Sequence, residues 1–292
     1  MLSKMHDSTS ENTEEESYAL EFEHPLTLPS RLGLTSGGIF CCAGGAGGVQ
    51  WSILRCSGIR GKDTPMKEIP ITSFDNLQIG QAENTAAGTG CTVVLLGKDG
   101  APAGLDVRGG GPASRESELL KPLAAAQVIH AIVLAGGSAF GLDAAGGVMR
   151  YLEERGIGFD VGVTKVPLVC QSDLFDLTVA DARTRPDAAM AYAACVNAET
   201  GNYRDGNHGA GTGATVGKLL GMDHCMKSGI GSYAVQVGDL KVGALVAVNA
   251  VGDVYDFETG RKVAGLRADD GKTFLDSERV LMQQLDAPQE KF

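Results

Sequence analysis

The sequence predicts an α+β fold in which small-residue-rich helices lie on layers of strands. Three observations predict it. Apolar runs of strand length and segments of helical period are mixed along the chain, without the regular strand–helix alternation of a doubly wound fold. The two best helical segments, 138–156 and 185–201, are rich in Ala, so they can approach a sheet closely. Aromatic residues make up only 5% of the chain while glycine takes 41 of 292 positions, about twice its ordinary share. The core is therefore built from Ala, Val, Leu and Ile.

Taken in order, residues 1–65 differ from the remainder of the chain. They open on a polar, acidic run, Ser8 to Ser17, of the kind found in disordered chains, and continue as a Gly/Ser/Cys stretch without helical or strand period. At Met66 the texture changes to a clean pattern. This marks 1–65 as a disordered or non-native N-terminal extension and 66–292 as the folded part. CTVVLLG (91–97) and AGLDVRG (103–109) predict buried strands flanked by turn glycines. HAIVLAGG (130–137) predicts a strand running into a Gly turn. In the helix over 138–156, Phe140, Ala144, Val148 and Tyr151 or Leu152 share the core face, with Ser138 as N-cap and Gly156 as C-cap. The helix over 185–201 begins at Pro186, with the Asp187 carboxylate favoured in its first turn. SYAVQVG (232–238) and the run 241–256 predict adjacent strands joined by a tight turn at Gly238-Asp239.

Composition removes several function classes. Hydrophobic residues are 43% and charged residues 21%, ordinary for a globular chain. No apolar stretch reaches the roughly 18 residues of a membrane helix. A net charge of -11 offers no basic face for phosphates, so nucleic acid is not an expected partner. The seven cysteines are odd in number and contain no CxxC pair, which argues against a disulfide framework and a structural zinc. With an N-terminus lacking the basic and apolar regions of a secretory signal, they point to a cytoplasmic protein.

Several motifs fail on inspection. GAGTGATVGK (209–218) would need Gly where Thr212 stands and Ser or Thr where Leu219 stands to be a phosphate-binding loop. It predicts instead a Gly-rich turn leading into a packed helix. Lys218, among small apolar residues, is expected to be partly buried with a lowered pKa. GGSAFG (136–141) has Phe140 where a serine nucleophile elbow needs Gly. The histidines show no metal-ligating spacing, and His130 at the head of an apolar strand is expected to be structural. Asn249 interrupts an apolar run. It is either a turn former at a strand end or an amide donor directed into a site.

The ordered blocks RGGGPASRESELL, AIVLAGGSAFGLDAAGGVMRYLEERGIGFDV, RPDAAMAYAAC, GAGTGATVGK and VGALVAVNAVGDV resemble the DmpA-type aminopeptidase family, across essentially all of 66–280. The resemblance implies an αββα four-layer sandwich made as a precursor that cuts itself into a large α and a small β chain. It implies a nucleophilic Ser or Thr at the new N-terminus of the β chain, with its own α-amine as base. It places Lys218 on a lysine near that nucleophile, and Asn249 on an asparagine donating to the oxyanion or to processing. It places Phe175, in SDLFDL, where some members carry a tyrosine whose hydroxyl contacts the site, and so in the substrate pocket. Family members continue into an Asn-Thr-Thr-type segment. The 292 residues are accordingly read as the α portion, with no nucleophile of their own and inactive alone. The β segment of the same precursor is the expected partner, a short peptide or related amide the substrate, and a homo-oligomer of αβ units the assembly. No metal or organic cofactor is implied. The alternatives are a non-catalytic relative or subunit binding a small amide, and an acyltransferase related to ornithine acetyltransferases.

Overall fold

The computed structural model describes residues 38–43 and 65–286. All of 1–65 apart from 38–43 and residue 65 lies outside the described residues. In chain order the strands are β1 (Gly38–Ala43), β2 (Lys67–Glu68), β3 (Gln78–Asn84), β4 (Thr89–Leu95), β5 (Ser114–Arg115), β6 (Ala131–Ala135), β7 (Phe159–Asp160), β8 (Lys165–Val166) and β9 (Val169–Asp173). They continue as β10 (Thr215–Val216), β11 (Met226–Lys227), β12 (Ile230–Val237), β13 (Leu240–Ala247), β14 (Val254–Tyr255) and β15 (Lys262–Ala264). The helices are α1 (Ala144–Glu153), α2 (Ala188–Ala198) and α3 (Ser277–Asp286).

Two sheets and a helical layer make the α+β body. The larger sheet has the order β3-β4-β6-β9-β5, with only β6 and β9 parallel. The smaller has the order β1-β13-β12-β2. Strand period divides the central residues between two cores, because successive side chains leave opposite faces. Cys91, Val93 and Leu95 of β4 and Ala131, Val133 and Ala135 of β6 pack under α1 and α2. Val94 of β4 and Leu134 of β6 face the smaller sheet, against Ile230, Ala234, Leu245 and Ala247. The described layers therefore run helix, sheet, sheet.

Small residues let helix and sheet approach as expected, a Cβ at Gly80 of β3 coming within 2.0 Å of the Ala194 carbonyl oxygen of α2, and the two helices approach each other in the same way. A Cβ at Gly147 of α1 would lie 1.8 Å from the Ala188 carbonyl oxygen of α2, so only glycine permits this crossing. Asp187 is the N-cap of α2, accepting from Met190 N–H at 2.8 Å. Ala144, Val148, Tyr151 and Leu152 are buried and Gly156 closes the helix at φ +65°.

Other expectations are corrected. Residues 103–109 form no strand. Leu105 and Val107 are half-exposed, and among the described residues this Gly-punctuated segment pairs with no strand. Phe140 leaves the core face and lies exposed beneath the Arg185 guanidinium, 3.7 Å from its ring centroid. Residues 138–143 are 3-10 rather than α, and Ser138 caps nothing. It sits at φ +53° and its N–H bonds Leu174 O. After 209–211 the GAGTGATVGK segment enters β10 and not a helix. The strand predicted over 241–256 ends at Ala247, which leaves Asn249 beyond it. Within the N-terminal extension, Gly38–Ala43 pairs parallel with β13, a main-chain pairing that requires no side-chain alternation. Among the described residues no helix is long and apolar enough to cross a membrane.

Candidate active site

Two chain segments meet where β10 and β13 end. The N–H groups of Gly217 and Lys218 bond Gly252 O (2.9 Å) and Val251 O (2.8 Å), which sets the segment after β10 beside the segment after β13. Asp253 anchors the far side of this segment. Its buried carboxylate accepts from Lys262 Nζ at 2.6 Å, Leu266 N at 2.8 Å, and Ser277 N and Oγ at 3.0 and 2.8 Å, at the start of α3.

The side chains of Lys218 and Asn249 are brought together by this framework. Lys218 Nζ donates to Thr215 O at 2.6 Å, Asn249 O at 3.0 Å and Asn249 Oδ1 at 2.9 Å. The three ammonium hydrogens thus have three acceptors, none of them a carboxylate. Burial without a counter-charge lowers the Lys218 pKa to about 8, and the neighbouring Lys227 adds to the effect. Lysine binds fewer protons in the folded chain than in the unfolded one between about pH 8 and its ordinary 10.5, so this residue makes stability rise with pH across that window. Thermal melts should accordingly show the parent gaining stability relative to Lys218→Met between pH 8 and 10. Parallel pH profiles would contradict the assignment.

The orientation of the Asn249 amide follows from its neighbours. Lys218 Nζ and Thr215 N–H can only donate, so the oxygen faces them, with Thr215 N at 3.0 Å. Nδ2 then faces Phe175 O at 2.9 Å. One Nδ2 hydrogen is engaged there, and the second meets no acceptor among the described residues.

The segment carrying Phe175 is held between two buried carboxylates. Asp176 accepts from Thr89 Oγ1 and from Gly137 N–H, both at 2.7 Å. A Cβ at Gly136 would come within 1.9 Å of Asp176 Oδ2, so a bare backbone is required there. Burial raises the Asp176 pKa, and the Thr89 and Gly137 hydrogen bonds oppose it. Asp173 accepts from Gln171 Nε2 at 2.8 Å through one oxygen, while its other oxygen has no partner among the described residues. Burial raises its pKa to about 8. Its folded pKa lies above the unfolded value, so its contribution to stability is lost as pH rises from about 4 to about 8. Asp173→Asn should flatten the denaturant midpoint between pH 5 and 8, and an unchanged slope would contradict this.

The glycine-rich segment is arranged oppositely to a phosphate cradle. Its carbonyls turn inward to lysines: Lys227 Nζ meets Thr212 O at 2.8 Å and Ala214 O at 2.7 Å, and Lys218 meets Thr215 O. The N–H groups that a phosphate would need are consumed within the protein, by Glu83 at Gly209, Thr92 at Ala210 and Asn249 at Thr215. His130 is buried, its Nδ1 accepting from Leu168 N–H at 3.1 Å, with its pKa lowered by burial.

Of the three sequence-predicted site residues, Lys218 and Asn249 are in direct contact. Phe175 joins them through its carbonyl, while its ring is half-exposed. Sequence reasoning missed Thr215, Asp176, Thr89 and Lys227. The two acids of SDLFDL, set in an apolar run, were the available signal for Asp176. Nothing in the local pattern marks Lys227.

Residues 70–276 match the family described as Peptidase family S58. An uncharacterized aminopeptidase of Mycobacterium leprae is 40% identical over 207 residues, covering 65% of this chain and 55% of the relative. A 6-aminohexanoate-oligomer endohydrolase of Kocuria sp. is 31% identical over 183 residues, covering 63% and 48%. The chain thus spans about half the length of these curated relatives. Among solved structures, a beta-aminopeptidase of Burkholderia sp. aligns with a TM-score of 0.47 at 22% identity, covering 62% of this chain and 52% of that one.

Proposed function

The chain belongs to peptidase family S58, and on that premise we propose that it is the α portion of a self-processing N-terminal-nucleophile amidohydrolase. It removes an N-terminal residue from short peptides or cleaves a related short amide. The observation carrying this reading is the 2.9 Å contact of Lys218 Nζ with the Asn249 amide, whose nitrogen is oriented by Phe175 O and keeps one hydrogen to donate.

The chemistry follows from these groups. A Ser or Thr hydroxyl at a chain N-terminus attacks the substrate carbonyl carbon, and its proton passes to its own α-amine. The carbonyl oxygen becomes an oxyanion, which the free Asn249 Nδ2 hydrogen and the Lys218 charge stabilise. The C–N bond then breaks, the leaving amine takes the proton, and water hydrolyses the acyl-enzyme. Lys218 also fixes Asn249 through Oδ1, so the donor needs no reorientation during reaction. The nucleophile belongs to the β segment of the same precursor, outside these 292 residues. Phe175, half-exposed and with its carbonyl on Asn249 Nδ2, lines the substrate pocket. Relatives named aminopeptidase and 6-aminohexanoate-oligomer endohydrolase support an amide as the reacting bond. The assembly is a homo-oligomer of αβ units in the cytoplasm.

The test is hydrolysis of aminoacyl p-nitroanilides by a chain extended to the length of its relatives, beside the 292-residue chain alone. Turnover by the extended chain only is expected. Absence of turnover from both, across a panel of α- and β-aminoacyl substrates, would sink the reading.

A further inference from the structure

The free edge of β12 carries a notch. In the antiparallel β12–β13 ladder, residues alternate between bonding the partner strand and turning their main-chain groups away. Ile230 turns away and exchanges both bonds with Gly206, at 2.7 and 2.9 Å. Ala234 turns away and accepts from Ile69 N–H at 3.0 Å. Ser232, midway between them, turns the same way. Its N–H and C=O meet no main-chain partner among the described residues, because the chain leaves the edge at Pro70 and enters a 3-10 turn at Ile71. The gap is a cleft of about 380 Å³ bordered by Glu68, Ile69, Ile71, Asp205, Ser232 and Tyr233.

The charge on this cleft has one sign. The Asp205 carboxylate accepts from Ser232 Oγ at 3.0 Å and Tyr203 OH at 2.5 Å, and it is exposed. Glu68 is exposed on the other side. No ion pair engages either carboxylate among the described residues. Ile69, Ile71 and Ala234 are buried at its base. An occupant must offer one residue of extended backbone to Ser232, a positive charge to the carboxylates and a small apolar group to the base.

We propose that this notch binds the free amino end of a short extended peptide, by strand addition at Ser232 with its ammonium beside Asp205 and Glu68. The site lies on the edge of β12 away from β13 and is separate from the Lys218–Asn249 cluster. It does not depend on the proposed hydrolase activity. Two main-chain hydrogen bonds and one charge-assisted contact over an open cleft correspond to a Kd in the millimolar range, about 1 mM.

The probe is the tripeptide amide Ala-Leu-Ala-NH2, titrated into the isotopically labelled 292-residue chain with amide shifts followed by NMR. The Ser232 amide and its neighbours should move. N-acetylation of the peptide, or Asp205→Asn in the protein, should each weaken binding about tenfold. Methylation of the Leu nitrogen should weaken it several-fold. Lys218→Ala should leave the Ser232 shifts and the affinity unchanged. Equal affinity of the free and acetylated peptides, no saturable shift at Ser232, or shifts confined to Lys218 and Asn249 would each overturn the proposal. So would two other occupants of the notch. One is a segment of this chain, revealed if binding appears only after residues 1–64 are removed. The other is a second copy, revealed by a dimer in sedimentation that Asp205→Asn dissolves.

Discussion

Asn249→Ala in the processed enzyme should lower kcat per active site roughly 10²–10³-fold, the usual consequence of losing a principal oxyanion donor. The same change removes the Oδ1 acceptor of the buried Thr215 N–H and Oγ1 and one of the three acceptors of the partly buried Lys218 ammonium. Some stability is therefore lost as well, about 1–3 kcal/mol. Normalising turnover to titrated active sites separates the two effects. Asn249→Asp sharpens the separation. It restores an acceptor for Thr215 and Lys218 and adds a counter-charge for the buried ammonium, but it removes the donor. It should recover much of the melting temperature and none of the turnover. If both variants turn over like the parent once normalised, Asn249 is only a strand-end turn former.

Asp176→Ala should be the most damaging single change to the fold around the site. It leaves Thr89 Oγ1 and Gly137 N–H without their acceptor in a buried place and releases the segment whose carbonyl orients Asn249. Loss of two hydrogen bonds to a buried carboxylate is worth about 2–4 kcal/mol by denaturant unfolding. Thr89→Val removes one of the two and should cost less than half as much, with Asn249 still oriented. A cost under about 1 kcal/mol for Asp176→Ala would mean that the carboxyl's burial offsets its bonds.

Where an element's own residues decide its structure, the sequence was legible. β4 and β6 read as strands because β-branched and small residues fill both their faces. α1 and α2 read as helices because Ala and Val repeat at helical spacing toward the sheet. Legibility failed where a partner segment decides. Residues 103–109 alternate like a strand but pair with no strand among the described residues. Ser138 and Phe140 look like a cap and a core residue, yet the 3-10 turn after β6 is fixed by Gly137 N–H on Asp176 and Ser138 N–H on Leu174, far along the chain. The site divides the same way. Lys218 and Asn249 stand out as polar residues in apolar company. Thr215, Lys227 and Asp176 gain their roles only when the 209–215 carbonyls and the 173–176 segment are brought beside them.

If the Lys218–Asn249 pair serves a nucleophile that becomes a chain N-terminus by self-cleavage, the cut must be visible in the extended chain. Intact mass and N-terminal sequencing of the purified, extended chain test this most directly. Two chains are expected, the smaller beginning with Ser or Thr and acylated at that residue by a slow substrate, and cleavage slowed by Lys218→Ala or Asn249→Ala. A single uncut chain that turns over substrate, or hydrolysis by the 292-residue chain free of any longer form, would contradict it.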